Sequence, residues 1–171
     1  MDHEAPIADA ASRVSLGLQY SRQHGPTSAL IAWRGGRFSH VDVIMPDGRL
    51  LGARSDVIGG MPEGVQIRPE KYADWAEVLR VFKDVTADQE AMFYTFLNRQ
   101  LGKPYDKIGI VDFIFGMAHD RNWRDETAWF CSELVIAALD YAGIIMELTL
   151  DAFKIDPGGA SLITSAIGFK A

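Results

Sequence analysis

Only one residue in the 171-residue chain offers a sulfur nucleophile, Cys131, and it sits in the run Trp129-Phe130-Cys131-Ser132-Glu133-Leu134-Val135. That run reads as the opening of an apolar helix. A thiol reacts as its thiolate, and a helix N-terminus or a neighbouring imidazolium favours that form. A lone cysteine is nevertheless more often a small buried hydrophobe than a catalyst, so a histidine has to stand beside it. Of His3, His24, His40 and His119, only His40 falls inside regular structure, on the strand pattern Phe38-Ser39-His40-Val41-Asp42-Val43-Ile44-Met45. Side chains two apart on a strand share a face, which pairs His40 with Asp42 and turns Val41, Val43 and Met45 the other way. Asp42 is thus a candidate to orient the imidazole, although a spacing of ~7 Å along one strand works against that bond. The plain structural readings are a satisfied core histidine and a solvated edge-strand charge.

The elements that must position these groups follow from pattern. Val14 to Tyr20 alternates as a half-buried strand. Thr27 or Ser28 caps a short helix through Trp33, which Gly35-Gly36 ends. Pro46-Asp47-Gly48-Arg49 turns the His40 strand into a hairpin with Leu50 to Arg54. A glycine-rich loop, Ile58 to Gly64, leads to a short strand, Val65 to Arg68, and Glu77 to Phe82 forms another. Thr86-Ala87-Asp88-Gln89 has the form of a capping box, opening a helix with Met92, Phe93, Phe96 and Leu97 on one stripe, and Gly102 ends it. Lys103-Pro104-Tyr105-Asp106 precedes an apolar segment, Ile108 to Met117, and a charged loop, His119 to Glu126. The cysteine helix is expected from Ala128 to Ala142, with Cys131, Val135 and Leu139 on one stripe and Gly143 as its stop. Asp156-Pro157-Gly158-Gly159 reads as a turn, and Ser161 to Phe169 as a last apolar piece of either type.

The totals bound the class. With 48% hydrophobic and 23% charged residues the chain has the composition of one globular domain, residues 1–171, with 1–12 as an arm. A net charge of -6, from 17 Lys+Arg against 23 Asp+Glu, argues against nucleic acid as a partner. One cysteine excludes an internal disulfide and a cysteine-rich zinc site. The acidic, polar start Met1-Asp2-His3-Glu4 lacks the form of a secretory signal, and no apolar run nears the ~18 residues of a membrane span. The expectation is a protein that is cytoplasmic as synthesised, without a membrane span. No metal, nucleotide or flavin motif stands out, so no metal and no cofactor are expected.

Taken together, Phe38-Ser39-His40-Val41-Asp42-Val43-Ile44, Gly64-Val65-Gln66-Ile67-Arg68-Pro69, Leu101-Gly102-Lys103-Pro104-Tyr105-Asp106 and Trp129-Phe130-Cys131-Ser132-Glu133-Leu134-Val135 resemble the successive motifs of the circularly permuted papain-like hydrolases of the NlpC type, the YiiX/YaeF group. The similarity spans roughly residues 14 to 145. In that group the histidine strand precedes the cysteine helix, as His40 precedes Cys131. The resemblance implies an α+β fold, an antiparallel β-sheet or partial barrel packed against the cysteine-bearing helix. It implies Cys131 as nucleophile and His40 as general base, with Asp42 as the candidate third member. Tyr105, Ser39 and Trp129, which lie within the matched motifs, are the candidate substrate-binding residues.

One position departs from the group's pattern. The third catalytic side chain, often Glu, belongs on the strand after the histidine, and here that strand reads Leu50-Leu51-Gly52-Ala53-Arg54-Ser55-Asp56. Gly52 or Ala53 stands where the acid would be, so Asp42, Ser55, Asp56 or a backbone carbonyl is left to orient the ring. The implied activity is a cysteine peptidase or amidase, with peptidoglycan stem peptide or another amide as substrate. A compact form of this kind also resembles phage-tail enzymes, which makes phage tail-tip proteins candidate partners and the virion a candidate location. Two alternatives stand beside it: a lipid amidase or acyltransferase, with Ile108 to Met117 as the apolar wall, and a non-catalytic tail-tip module with an incomplete triad.

Overall fold

Along β1 (Arg13–Gln23) Leu16, Leu18 and Tyr20 point to one face and are buried there, as the two-residue period of an extended chain requires. The computed structural model describes residues 12–107, 128–145 and 155–171. After α1 (Pro26–Gly35) come β2 (His40–Ile44), β3 (Leu50–Arg54), β4 (Gly64–Arg68) and β5 (Trp75–Thr86). They form an open five-stranded sheet in the order β4-β3-β2-β1-β5, antiparallel at every pairing. The β2–β3 hairpin closes through Gly48, at φ 82°, whose N–H donates to Met45 O at 2.9 Å.

Helix α2 (Ala87–Gln100) starts where the capping box predicts: Thr86 Oγ1 accepts from Gln89 N–H at 3.2 Å, and Gln89 Oε1 accepts from Thr86 N–H at 3.1 Å. Phe93, Phe96 and Leu97 are buried, whereas Met92, expected on the same stripe, is exposed, because it lies one residue outside the i, i+3, i+4 set that faces the sheet. The cysteine helix, α3 (Cys131–Tyr141), begins three residues later than the pattern suggests. Trp129 is drawn into a bridge with Tyr105, which leaves Phe130, with φ -85° and ψ 151°, as the extended N-cap. The Asp156-Pro157-Gly158-Gly159 turn is instead the start of α4 (Pro157–Ala166). Asp156 Oδ1 accepts from Gly159 N–H at 2.8 Å and Pro157 occupies the first turn, where its missing N–H costs nothing. The apolar segment 108–117 and the charged loop after it lie outside the described residues.

The core forms between one face of the sheet and helices α2 and α3. Leu16, Leu18, Val41, Val43, Leu51, Ala53 and Val65 meet Phe93, Leu97, Leu134, Val135 and Leu139. Cys131, Val135 and Leu139 are all buried on the expected stripe. Complete burial stabilises each Leu or Val by roughly 1.5–3 kcal/mol, so this face alone holds α3 against the sheet. Helix α4 is tied on by Tyr20 Oη to Thr164 Oγ1 at 2.8 Å, and the C-terminal segment by reciprocal backbone bonds between Phe82 and Lys170 at 2.7 and 2.9 Å.

Candidate active site

His40 opens β2 at one end of the sheet, and Cys131 opens α3 against that same end. The approach is set by backbone pairing upstream of the cysteine. Gly64, at φ 95°, lets the backbone of Lys103 come so close that a Cβ there would overlap the carbonyl oxygen. Val65 N–H donates to Lys103 O at 2.9 Å and Gly102 N–H to Val65 O at 2.8 Å. Pro104 O then accepts from Trp129 N–H at 3.1 Å, and Trp129 O from Asp106 N–H at 3.1 Å. Lys103-Pro104-Tyr105-Asp106 therefore acts as a splice that carries β4's position to the first turn of α3. Glu133 Oε2 accepts from Phe130 N–H at 3.4 Å and so caps that turn.

The two catalytic candidates are neighbours: the Cys131 side chain lies close enough to the His40 ring to raise its pKa. On its far side, His40 Nε2 lies 2.9 Å from Asp42 Oδ1. This bond overturns the expectation from strand spacing. Both side chains are buried on one face and lean toward each other at the strand's start, which closes the gap that straight strand geometry leaves. With Nε2 turned to Asp42, Nδ1 is the nitrogen left for the sulfur. Asp42 also fills the place of a side chain on β3. Gly52 stands opposite it, and a Cβ on Gly52 would overlap Asp42 Oδ1, so the carboxylate fills the space in front of the glycine. Asp56 is engaged with Arg54 instead, through bonds of 2.7 and 2.9 Å.

Electrostatics favour an ion pair. Burial works to lower the His40 pKa, but the charge of Asp42, that of Cys131 and the bond to Asp42 outweigh it, and the value is pushed up to about 9. Burial works to raise the Asp42 pKa, yet the His40 charge, bonds from His40 and Tyr72 and the charge of Arg54 hold it below the usual carboxylate range. Tyr105 is buried, and desolvation followed by the charge of Cys131 drives its phenol well above the ordinary tyrosine value.

A cavity of about 220 Å³ opens on His40, with Gln23, Ser28, Ser39, Arg54 and Tyr105 among its walls. Ser39 Oγ is bonded to Ser28 Oγ at 2.6 Å on that wall. Trp129 stands apart from it: buried, it donates from Nε1 to Gln100 Oε1 at 3.1 Å and packs edge-on against Phe96. Ser132, next to the cysteine, donates from Oγ to Ile155 O.

Sequence reasoning passed over three residues here. Tyr72 donates from Oη to Asp42 Oδ2 at 2.7 Å. Trp75 stacks nearly parallel to the His40 ring, centroids 6.5 Å apart. Arg54 reaches Tyr72 Oη, Asp56 and Gln23 at once. The available signal was two aromatics three residues apart in an otherwise charged connection, Glu70-Lys71-Tyr72-Ala73-Asp74-Trp75.

No family model matches the sequence, and no curated protein matches it either. Among solved structures the chain is similar to the metalloprotein YiiX from Escherichia coli O157:H7, DUF1105, with a TM-score of 0.50 at 16% sequence identity. The match covers 88% of this chain and 80% of that one. The likeness is one of fold: a mixed α+β architecture of the YiiX kind.

Proposed function

We propose that the chain is a cysteine hydrolase that cleaves an amide bond, with Cys131 as nucleophile, His40 as acid and base, and Asp42 as the group that orients the imidazole. The observation that carries this reading is the His40–Asp42 bond beside Cys131 at a helix N-terminus. The Cys131 thiol gives its proton to His40, the sulfur attacks the carbonyl carbon, and the N–H groups of the first turn of α3 face the oxygen that becomes negative. The C–N bond breaks as the His40 imidazolium gives its proton to the leaving amine. A water then attacks the thioester, His40 takes its proton, and the acid leaves as the C–S bond breaks. Asp42 remains ionised throughout and holds the ring.

The YiiX likeness supports the scaffold, and the likeness of motifs to permuted papain-like enzymes of the NlpC type supports the reaction class. The polar walls of the cavity, with three serines, Gln23, Arg54 and Asp56, favour a peptide over an acyl chain. Within this reading the substrate is the stem peptide of peptidoglycan and the setting a virion that carries the enzyme to the cell wall. Among the described residues no group of three or more His, Cys, Asp or Glu is placed to hold a metal ion, and no step here runs through one. None of the described helices is long and apolar enough to cross a membrane.

Purified sacculi incubated with the wild type and with Cys131→Ala, followed by mass analysis of released fragments, test the proposal. The wild type is expected to release peptide fragments and the variant none. Equal release from both overturns the peptidoglycan reading. Alkylation of Cys131 by iodoacetamide only after unfolding would return it to core packing.

A further inference from the structure

The best-anchored side chain near the histidine belongs to neither motif of the proposed mechanism. Tyr72 is buried, in the connection between β4 and β5, and its Oη makes three polar contacts: 2.7 Å to Asp42 Oδ2, 3.3 Å to His40 Nε2 and 3.4 Å from Arg54 Nη1. The guanidinium groups of Arg54 and Arg68 lie over its ring at 5.5 and 5.6 Å, and Trp75 meets it edge-on at 5.1 Å. Gly59, at φ 62°, packs so closely under its Cβ that any side chain there would displace it. Arg54 is itself fixed by Asp56 and by Gln23, at 2.8 Å, on the cavity wall.

We propose that Tyr72 is a positioning residue for the His40–Asp42 pair, with Arg54 donating to the same phenolic oxygen from behind. The hydroxyl hydrogen points at the Asp42 carboxylate while its oxygen faces the imidazole nitrogen. One dipole therefore favours both the anion and the cation of the pair. Arg54, bonding to the oxygen, keeps the hydroxyl hydrogen committed to Asp42. Asp42 has two oxygens, and this arrangement assigns them, Oδ1 to His40 and Oδ2 to Tyr72, so the carboxylate cannot rotate away. Tyr72 acts through the His40–Asp42 pair.

This role rests on His40 as the acid and base of the proposed hydrolase, but its test reads the ring directly. Among the described residues, the charged and titratable groups around His40 are Asp42 on its own strand, Tyr72 from the β4–β5 connection, Arg54 and Asp56 at the end of β3, Cys131 from α3 and Tyr105 on the shared cavity wall. The imidazole of full-length, ¹⁵N-histidine-labelled protein is titrated by NMR in the wild type, Tyr72→Phe, Asp42→Asn and the double variant. Tyr72→Phe is expected to lower the His40 midpoint from about 9 by about one pH unit and to lower kcat about tenfold with KM held. In the Asp42→Asn background the same change should move the midpoint less, since only the direct contact of Tyr72 with the ring remains. An unmoved midpoint, or an equal shift in both backgrounds, overturns the proposal. If no amide is cleaved, the hydrolase reading fails while the titration still decides this one. Should Tyr72→Phe not fold, ¹³Cζ-tyrosine in the wild type replaces it: the Tyr72 signal is expected to change at the His40 midpoint, and a flat signal overturns the coupling.

Discussion

The carboxylate of Asp42 and the missing side chain of Gly52 share one volume: the two residues lie one step beyond the paired Val43 and Leu51 of β2 and β3, and a Cβ on residue 52 would collide with Asp42 Oδ1. In the proposed triad the acid stands on the histidine strand, and the next strand is cleared for it. Gly52→Ala is therefore expected to push Asp42 off His40, lower kcat/KM by about 10²-fold and cost about 1–3 kcal/mol of stability. The reciprocal pair Asp42→Gly with Gly52→Glu should recover activity over either single change. Turnover and thermal unfolding of the wild type and the four variants measure this, and a Gly52→Ala enzyme equal to wild type refutes it.

The pH dependence of stability follows from the same pair. The folded-state pKa of His40 is raised, so its contribution is complete below about 6.5 and is lost as pH rises through about 9. Asp42 is depressed, so its contribution is present above the ordinary carboxylate range and lost as pH falls below it. The difference in denaturant midpoint between wild type and a His40→Gln, Asp42→Asn double variant should plateau between these limits and shrink by pH 9. A difference that stays constant from pH 5 to 10 contradicts the assignment.

Activity should have an alkaline limb. In the proposed mechanism the leaving amine takes its proton from His40, and that proton is lost as pH passes about 9. Removing the Asp42 charge in Asp42→Asn removes the main attraction raising that value, so the limb is expected at lower pH, with kcat reduced. Profiles of kcat/KM against pH for the two enzymes provide the check.

Behind Gly52 lies Arg68, fully buried, whose guanidinium donates to Gly52 O at 3.0 Å, Pro62 O at 3.1 Å and Gly64 O at 3.2 Å. It holds the β3–β4 edge and the glycine loop together. Arg68→Ala leaves those carbonyls buried and unpaired, and a loss of about 3–5 kcal/mol is expected, enough to prevent accumulation of folded protein. Arg68→Lys should not rescue it, since an ammonium cannot span three carbonyls as a planar fork does. Soluble yield and circular dichroism would reveal a milder effect.

Thr86→Ala removes one half of the capping box of α2, far from the cavity. A loss of about 1 kcal/mol, or roughly 2–4 °C in Tm, is expected with kcat unchanged. Calorimetry with a parallel assay separates this helix-end effect from anything at the site.

Much of the framework was legible because it is written in local pattern. The alternation of β1, the Pro46–Arg49 turn, the Thr86–Gln89 box and the Cys131–Val135–Leu139 stripe each follow from backbone period or capping chemistry within a few residues. The misread places had a local pattern with two solutions. Asp156-Pro157-Gly158-Gly159 suits a turn or a helix start, and the segment after it is held as a helix by the bond of Thr164 to Tyr20. Trp129 suits a helix or a bridge, and its bond to Pro104 decides for the bridge.

By itself the sequence determined which groups were available: one thiol at a helix start, one histidine on a strand, and an acid two residues beyond. Only the tertiary structure decided that Asp42 turns toward His40 and that Tyr72 and Arg54 hold it there. Those contacts join β2, the end of β3 and a connecting loop, segments whose separation along the chain carries no periodic signal. Their bonds form only after the sheet has brought them within about 3 Å and excluded water from between them.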